Sequence, residues 1–187
     1  MSERDWIVEI MNNMLFEEAP EPWRHVDTAI AGLESVGYAQ DTDYLLAIGA
    51  NGRTVFDCSF EATSLIAALD YDIENEQDWN DRIRLVGEGI GSIANQSVQL
   101  AGIFGGGLRI QTSDHWRLEM ISPNWPHSDI LLGKPDYKLF RVAITPYIEG
   151  YTKLKLSKDD LVAYGFSQTD KSFVVAYSST IHIFSRP

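Results

Sequence analysis

The chain of 187 residues contains a single cysteine, Cys58, so no disulfide can form within it. A lone thiol fits a reducing compartment, and its place in an apolar, strand-like run reads as a small buried hydrophobe rather than a nucleophile. No run of 18 apolar residues occurs, so the sequence predicts no membrane span. The opening Met-Ser-Glu-Arg-Asp-Trp lacks the basic-then-apolar layout of a secretory leader, and the expectation is a cytoplasmic protein. Positive charge is scarce in the first half. Residues 1–81 hold 18 acids against Arg4, Arg24 and Arg53, a net of −15, whereas residues 82–187 carry a net of +3. Phosphates would be repelled by that first half, which argues against nucleic acid. A cationic protein would be steered towards it.

Catalytic signatures are also missing. There is no Gly-x-Ser-x-Gly elbow, and Ser113-Asp114-His115 are sequence neighbours on a turn that cannot converge as a triad. The four histidines, His25, His115, His127 and His182, show no metal-ligand spacing. Neither Gly87–Gly91 nor Gly105–Gly107 is followed by the lysine of a phosphate cradle, so both read as turns or close backbone packing. No cofactor, no metal and no enzymatic activity are expected.

What is present is mostly strand. Tyr44–Ile48 and Arg53–Phe56 flank Gly49-Ala50-Asn51-Gly52, and Asn-Gly between apolar runs signals a hairpin. Leu65–Leu69 is a third strand or a helix. Ser97–Phe104 reads as one strand leading into Gly105–Gly107. Leu108, Ile110 and Thr112, then Trp116, Leu118 and Met120, alternate with polar residues as a second hairpin. A strand is expected near Tyr137–Ile144, followed by a loop at Tyr147–Tyr151 and a basic patch at Lys153, Lys155 and Lys158. Leu161–Ser167, Ser172–Tyr177 and Ile181–Ser185 are three closing strands, with His182 pointing outward.

Helical periodicity is confined to the start. Trp6, Ile7, Ile10, Met11, Met14 and Leu15 predict an amphipathic helix over residues 3–16, and Pro20 and Pro22 end it. Trp23, Val26, Ile30 and Leu33 predict a second helix over 23–36, with His25 beside it at the surface. The expected fold is therefore α+β, one domain over 1–187. A helical N-terminal segment (1–40) precedes a mostly antiparallel, meander or sandwich-like β-rich body (41–187). The alternative is a small propeller-like all-β fold. Tyr164–Tyr177 resembles the inner strands of a WD-repeat blade, although it lacks the Trp-Asp and Gly-His signatures.

The densest acidic run is Asp70, Asp72, Glu74, Glu76, Asp78 and Asp81. Its spacing is that of a calcium loop, but Asn75 holds the glycine position and Asp81 the final glutamate position. It reads as a solvated acidic loop leading into a helix near Trp79–Val86.

In general character the chain resembles bacterial immunity proteins that neutralise a toxin by occluding its active site: small, acidic, cytosolic and without a catalytic motif. The resemblance implies a cationic toxin domain as partner, with Asp70, Asp72, Glu74, Glu76, Asp78 and the aromatic Trp79 as the partner-binding surface. The competing reading is an enzyme or small-ligand binder with a pocket at His115, Trp116, Trp125 and His127. A third is assembly through a free edge of the C-terminal sheet.

Overall fold

A computed structural model describes residues 3–14, 16–70, 83–122, 128–135, 137, 150–156 and 159–187. It opens with helix α1 (Glu3–Asn13) and the strands β1 (Phe16–Glu17), β2 (Arg24–Ala29) and β3 (Leu33–Tyr38). A hairpin follows, β4 (Tyr44–Gly49) and β5 (Gly52–Asp57), then β6 (Ser64–Asp70). β7 (Val86–Glu88), a 3-10 turn at Gly91–Ile93, β8 (Ser97–Gln99) and β9 (Ala101–Gly102) are short. β10 (Arg117–Ile121), β11 (Asp129–Gly133) and β12 (Tyr151–Leu154) form the next group. β13 (Leu161–Phe166), β14 (Ser172–Tyr177) and β15 (Thr180–Ser185) close the chain. The fold is α+β and mostly antiparallel, and no closed barrel forms among the described residues.

Three sheets have the strand orders β6-β5-β4-β3-β9, β13-β14-β15-β2 and β1-β12-β11-β10, antiparallel except for the β1–β12 pair, and β7 and β8 pair as a two-stranded sheet. The C-terminal sheet is the middle layer. Every residue of β14 is buried, and alternate side chains serve two cores, as period-two geometry requires. Val174 and Ala176 meet Val36, Leu45, Ala47 and Phe56 of the first sheet. Phe173 and Val175 meet Leu118, Ile130, Leu132 and Leu154 of the third, together with Trp23 and Trp116. The outer faces are covered as well. Met11 and Met14 of the N-terminal helical region pack on Leu131 and Tyr151, and Ile93, Val98 and Leu100 pack on Leu46, Ile48 and Val55.

Several expectations change. Residues 23–36 are not a helix but β2 and most of β3, so among the described residues of the N-terminal 40 the helix covers Glu3–Asn13. β2 forms six registered pairs with β15, from Ala29↔Thr180 to Arg24↔Ser185. That non-local ladder, together with a turn at Gly32 in the left-handed region (φ 58°), outweighs the helical spacing of Trp23, Val26, Ile30 and Leu33. The same pairing leaves β15 no free edge, and the edges of that sheet are β13 and β2.

The Tyr44–Cys58 hairpin forms as expected, with Gly49 opposite Gly52. Its turn residues are Ala50 and Asn51, and of Asn51-Gly52 only Gly52 has a positive φ. Ser97–Phe104 is not one strand: β8 pairs with β7, and β9 with β3. Residues 108–112 form isolated bridges, Arg109 with Phe166 and Gln111 with Arg117, rather than a continuous strand. Ile110 and Met120 are exposed. Tyr151, expected in a loop, begins β12. Lys153 is buried and ion-paired with Asp129, and Lys155 lies beside Glu18, so these two lysines form no basic patch. Lys158, and the strand expected near Tyr137–Ile144 apart from Tyr137 itself, lie outside the described residues. At Gly106 (φ 81°) a Cβ would stand 2.3 Å from the Leu100 carbonyl oxygen, so within the glycine triplet close backbone packing requires Gly106, whereas a Cβ at Gly107 would meet nothing within 4 Å.

Candidate protein-binding surface

β6 reads Ser-Leu-Ile-Ala-Ala-Leu-Asp, a run of apolar residues that favours neither sheet face cleanly. Its inner side pairs with β5 from Gly52↔Asp70 to Asp57↔Ser64, with a bulge between Val55 and Phe56. No strand among the described residues pairs with its outer side. Leu65 is 58% exposed, Leu69 55% and Ile66 40%. Ala67 is braced from beneath by the Gly91 turn, where a glycine Cβ would approach the Ala67 Cβ to 2.7 Å. The strand is therefore braced at Ala67, and its large side chains stay in solvent.

Sheet edges are normally blunted by charge, proline or bulges that turn them away. β2, the edge of the C-terminal sheet, follows that rule with Arg24, His25 and Asp27. β6 has no charge between Ser64 and Leu69. Its charges stand at the two ends: Glu61 is exposed before it, and Asp70 is exposed at its last position. Asp57, opposite Ser64, accepts from the Ser59 amide at 2.9 Å.

Residues 41–81 contain ten acids and one base, Arg53. Arg53 stands opposite Leu69, yet it is only 8% exposed. Its guanidinium donates to the Glu88 carbonyl oxygen at 3.0 Å and approaches the Glu88 carboxylate at 4.0 Å. The positive charge paired opposite the strand is thus turned inward and engaged.

Of the residues expected at a partner surface, Asp70 ends β6 and is exposed. Asp72, Glu74, Glu76, Asp78 and Trp79 lie outside the described residues, as do Trp125 and His127. His115 and Trp116 do not share a pocket. Trp116 packs edge-on against Trp23 with ring centroids 5.7 Å apart, inside the core. His115 sits exposed on a turn with φ 71°, and its Nδ1 is 3.2 Å from Gln111 Nε2.

Two polar clusters were not legible beforehand. His25 Nε2 lies 3.0 Å from His182 Nδ1, with the rings stacked at 5.2 Å. His182, expected outward, is 7% exposed. Burial and then the neighbouring His25 push its pKa down to about 4, against an opposing pull from Asp27. Burial also lowers His25, opposed by Asp27 and Glu18. Asp43 gathers the hydroxyls of Ser172 and Thr169 at 2.6 and 2.7 Å, and Tyr38 stands 3.3 Å from Ser172. Burial raises both the Tyr38 hydroxyl and the nearby Cys58 thiol, so Cys58 stays protonated and is no nucleophile at neutral pH. Both clusters bind strand to strand or sheet to sheet. A 340 Å³ groove beside Gly106, Leu108, Ile110, Met120 and Tyr164 has no titratable group besides Tyr164. Among the described residues no group of three or more His, Cys, Asp or Glu could hold a metal ion.

Comparison of the chain with protein-family models, with curated proteins and with solved structures finds no match.

Proposed function

We propose that this chain is a non-enzymatic binding protein, an immunity protein that neutralises a cationic toxin domain through its acidic surface. The observation that carries the reading is the charge layout of residues 41–81, with ten acids and a single base that is buried and bonded to Glu88. Such a one-sign surface speeds encounter with a cationic partner and excludes anionic ones. The surface comprises Asp70, Asp72, Glu74, Glu76 and Asp78, with Trp79 as its aromatic anchor. The sandwich-like stacking of meander sheets belongs to the same reading: a scaffold buried on both faces presents its edge and loops without rearranging. Among the described residues no helix is long and apolar enough to cross a membrane, in keeping with a cytoplasmic site of action.

The test is rescue of growth. A basic protein recovered from the source cells with the wild-type chain is expressed alone and then together with it. Toxicity alone, relief by the wild-type chain, and loss of relief on combining Asp70→Asn, Asp72→Asn, Glu74→Gln, Glu76→Gln and Asp78→Asn are expected. Binding that is indifferent to those five changes and to salt overturns the proposal.

A further inference from the structure

We infer that the partner binds by strand addition: an extended segment, apolar in its middle and basic at its ends, pairs with the outer edge of β6. The inference rests on the acidic-surface reading and adds to it where and how the partner docks. Four features of the strand lead to it. β6 is an edge with no described neighbour outside it, and it lacks the charges that protect β2. Its exposed Leu65 and Leu69 stand opposite Phe56 and Arg53, on opposite faces of the sheet because Ile66 is an extra residue, so an added strand covers one with each set of its alternate side chains while its backbone pairs with the open N–H and C=O groups on either side of that bulge. The Gly91 turn beneath Ala67 keeps the strand in place before anything binds, which spares the ordering cost of forming a new edge. Finally, the charges select the occupant. Glu61 and Asp70 bracket the apolar stretch, Asp57 lies at its start, and Arg53, the base paired opposite Leu69, is turned inward onto Glu88.

The same charges disfavour a second copy of this chain as occupant. Pairing β6 with β6 antiparallel brings Asp70 of one copy to the Glu61 end of the other. Parallel pairing brings Asp70 to Asp70. Like charges opposite one another destabilise a ladder. A segment with lysine or arginine at both ends meets an acid at each.

The probe is a synthetic peptide of alternating valine and threonine with two lysines at each end, added to the full chain. Binding is expected to protect the amides of residues 64–70 from hydrogen exchange. It should weaken on the order of tenfold when Leu65→Thr and Leu69→Thr are combined, changes that keep charge and β-propensity. N-methylation of alternate peptide residues along one edge should abolish binding, and along the other should leave it intact. If both methylated peptides bind like the parent, strand addition is overturned while the acidic-surface reading stands. If Asp70→Asn with Glu61→Gln leaves affinity and its salt dependence unchanged, the charge argument fails for both readings. No binding at millimolar peptide, or a chain dimer in sedimentation that Leu69→Lys dissociates, also overturns the inference.

Discussion

Ser172 Oγ donates to Asp43 Oδ1 at 2.6 Å, and this bond joins the first sheet to the middle one. Asp43 precedes β4, and Ser172 opens β14. The same oxygen accepts from Thr169 at 2.7 Å, while the Asp43 backbone carbonyl accepts from Cys58. Removing the carboxylate takes the acceptor from two hydroxyls at once, leaving Ser172 its longer contact with Tyr38 and Thr169 its contact with Ser167. Asp43→Ala should lower unfolding stability by about 2 kcal/mol, as lost charge-assisted bonds do. Ser172→Ala should cost less, and the double variant less than the two single costs together. Urea unfolding of the four proteins measures this, and strict additivity would show that the bond couples nothing.

The His25–His182 contact makes stability depend on pH in a defined direction. One ring donates and the other accepts, so a proton on the accepting nitrogen breaks the bond, and two charged rings repel. His182 binds its proton near pH 4 when folded, against about 6.5 when unfolded. Between those values the unfolded chain holds more protons, so stability falls as pH falls and the loss is complete by about pH 4. The full effect is at most about 3 kcal/mol. His182→Gln should flatten the stability profile between pH 6.5 and 4. A wild-type profile already flat in that window, after acid titration is accounted for, would contradict the assignment.

Arg186 closes the C-terminus by three contacts. It grips Asp114 with two nitrogens at 2.6 and 2.9 Å, donates to the Asp170 carbonyl oxygen at 2.9 Å, and stacks on Trp23 at 4.8 Å. The hydrogen bonds from Arg186 hold the Asp114 pKa down to about 2. For a depressed acid, the stabilisation is present above about pH 4 and lost as pH falls through 2. Asp114 is half exposed, so the pair contributes no more than about 1 kcal/mol. Arg186→Lys keeps the charge and loses the fork. The Asp114 carboxyl, followed by NMR, should then titrate closer to the ordinary aspartate range. An unchanged titration would mean that point charge alone sets the value.

The legible parts of the fold were those fixed by local chemistry. Tyr44–Cys58 carries its own turn signal, and Phe173–Ala176 is apolar throughout because both faces of β14 are buried. β2 was hidden because nothing within Arg24–Ala29 names its partner, which lies about 155 residues away. Reading 23–36 as a helix also hid the histidine pair, since His25 meets His182 only across that ladder. Lys153 misled for a similar reason: a lysine is read as exposed unless its counter-charge is known, and Asp129 comes from another strand. On the candidate surface, charge was legible from composition. The exposure of Leu65 and Leu69 was not, because an apolar run does not say whether a strand is central or at an edge.

Lys153 decides how the N-terminal helix is held. Its ammonium donates to the Met11 carbonyl oxygen at 3.2 Å, pairs with Asp129 at 3.1 Å and lies 4.4 Å from the Phe16 ring centroid. Met11 is the last hydrophobe before α1 ends, so that carbonyl belongs to the final turn, where helix C=O groups need outside donors. A cation there also suits the negative end of the helix dipole. Lys153→Met retains the stem's packing, removes all three polar contacts and leaves Asp129 without this partner. Breaking one side of such a buried pair costs on the order of 3 kcal/mol. The helix should open locally before the sheets do, because among the described residues Met11 and Met14 belong to a small cluster, with Leu131, Tyr151 and a few half-buried neighbours. Limited proteolysis should therefore cut Lys153→Met first within residues 3–14, at a urea concentration where the wild-type chain is intact. Adding Asp129→Asn to that variant should recover part of the loss. Equal cleavage of wild type and variant would show that methionine packing alone docks the helix.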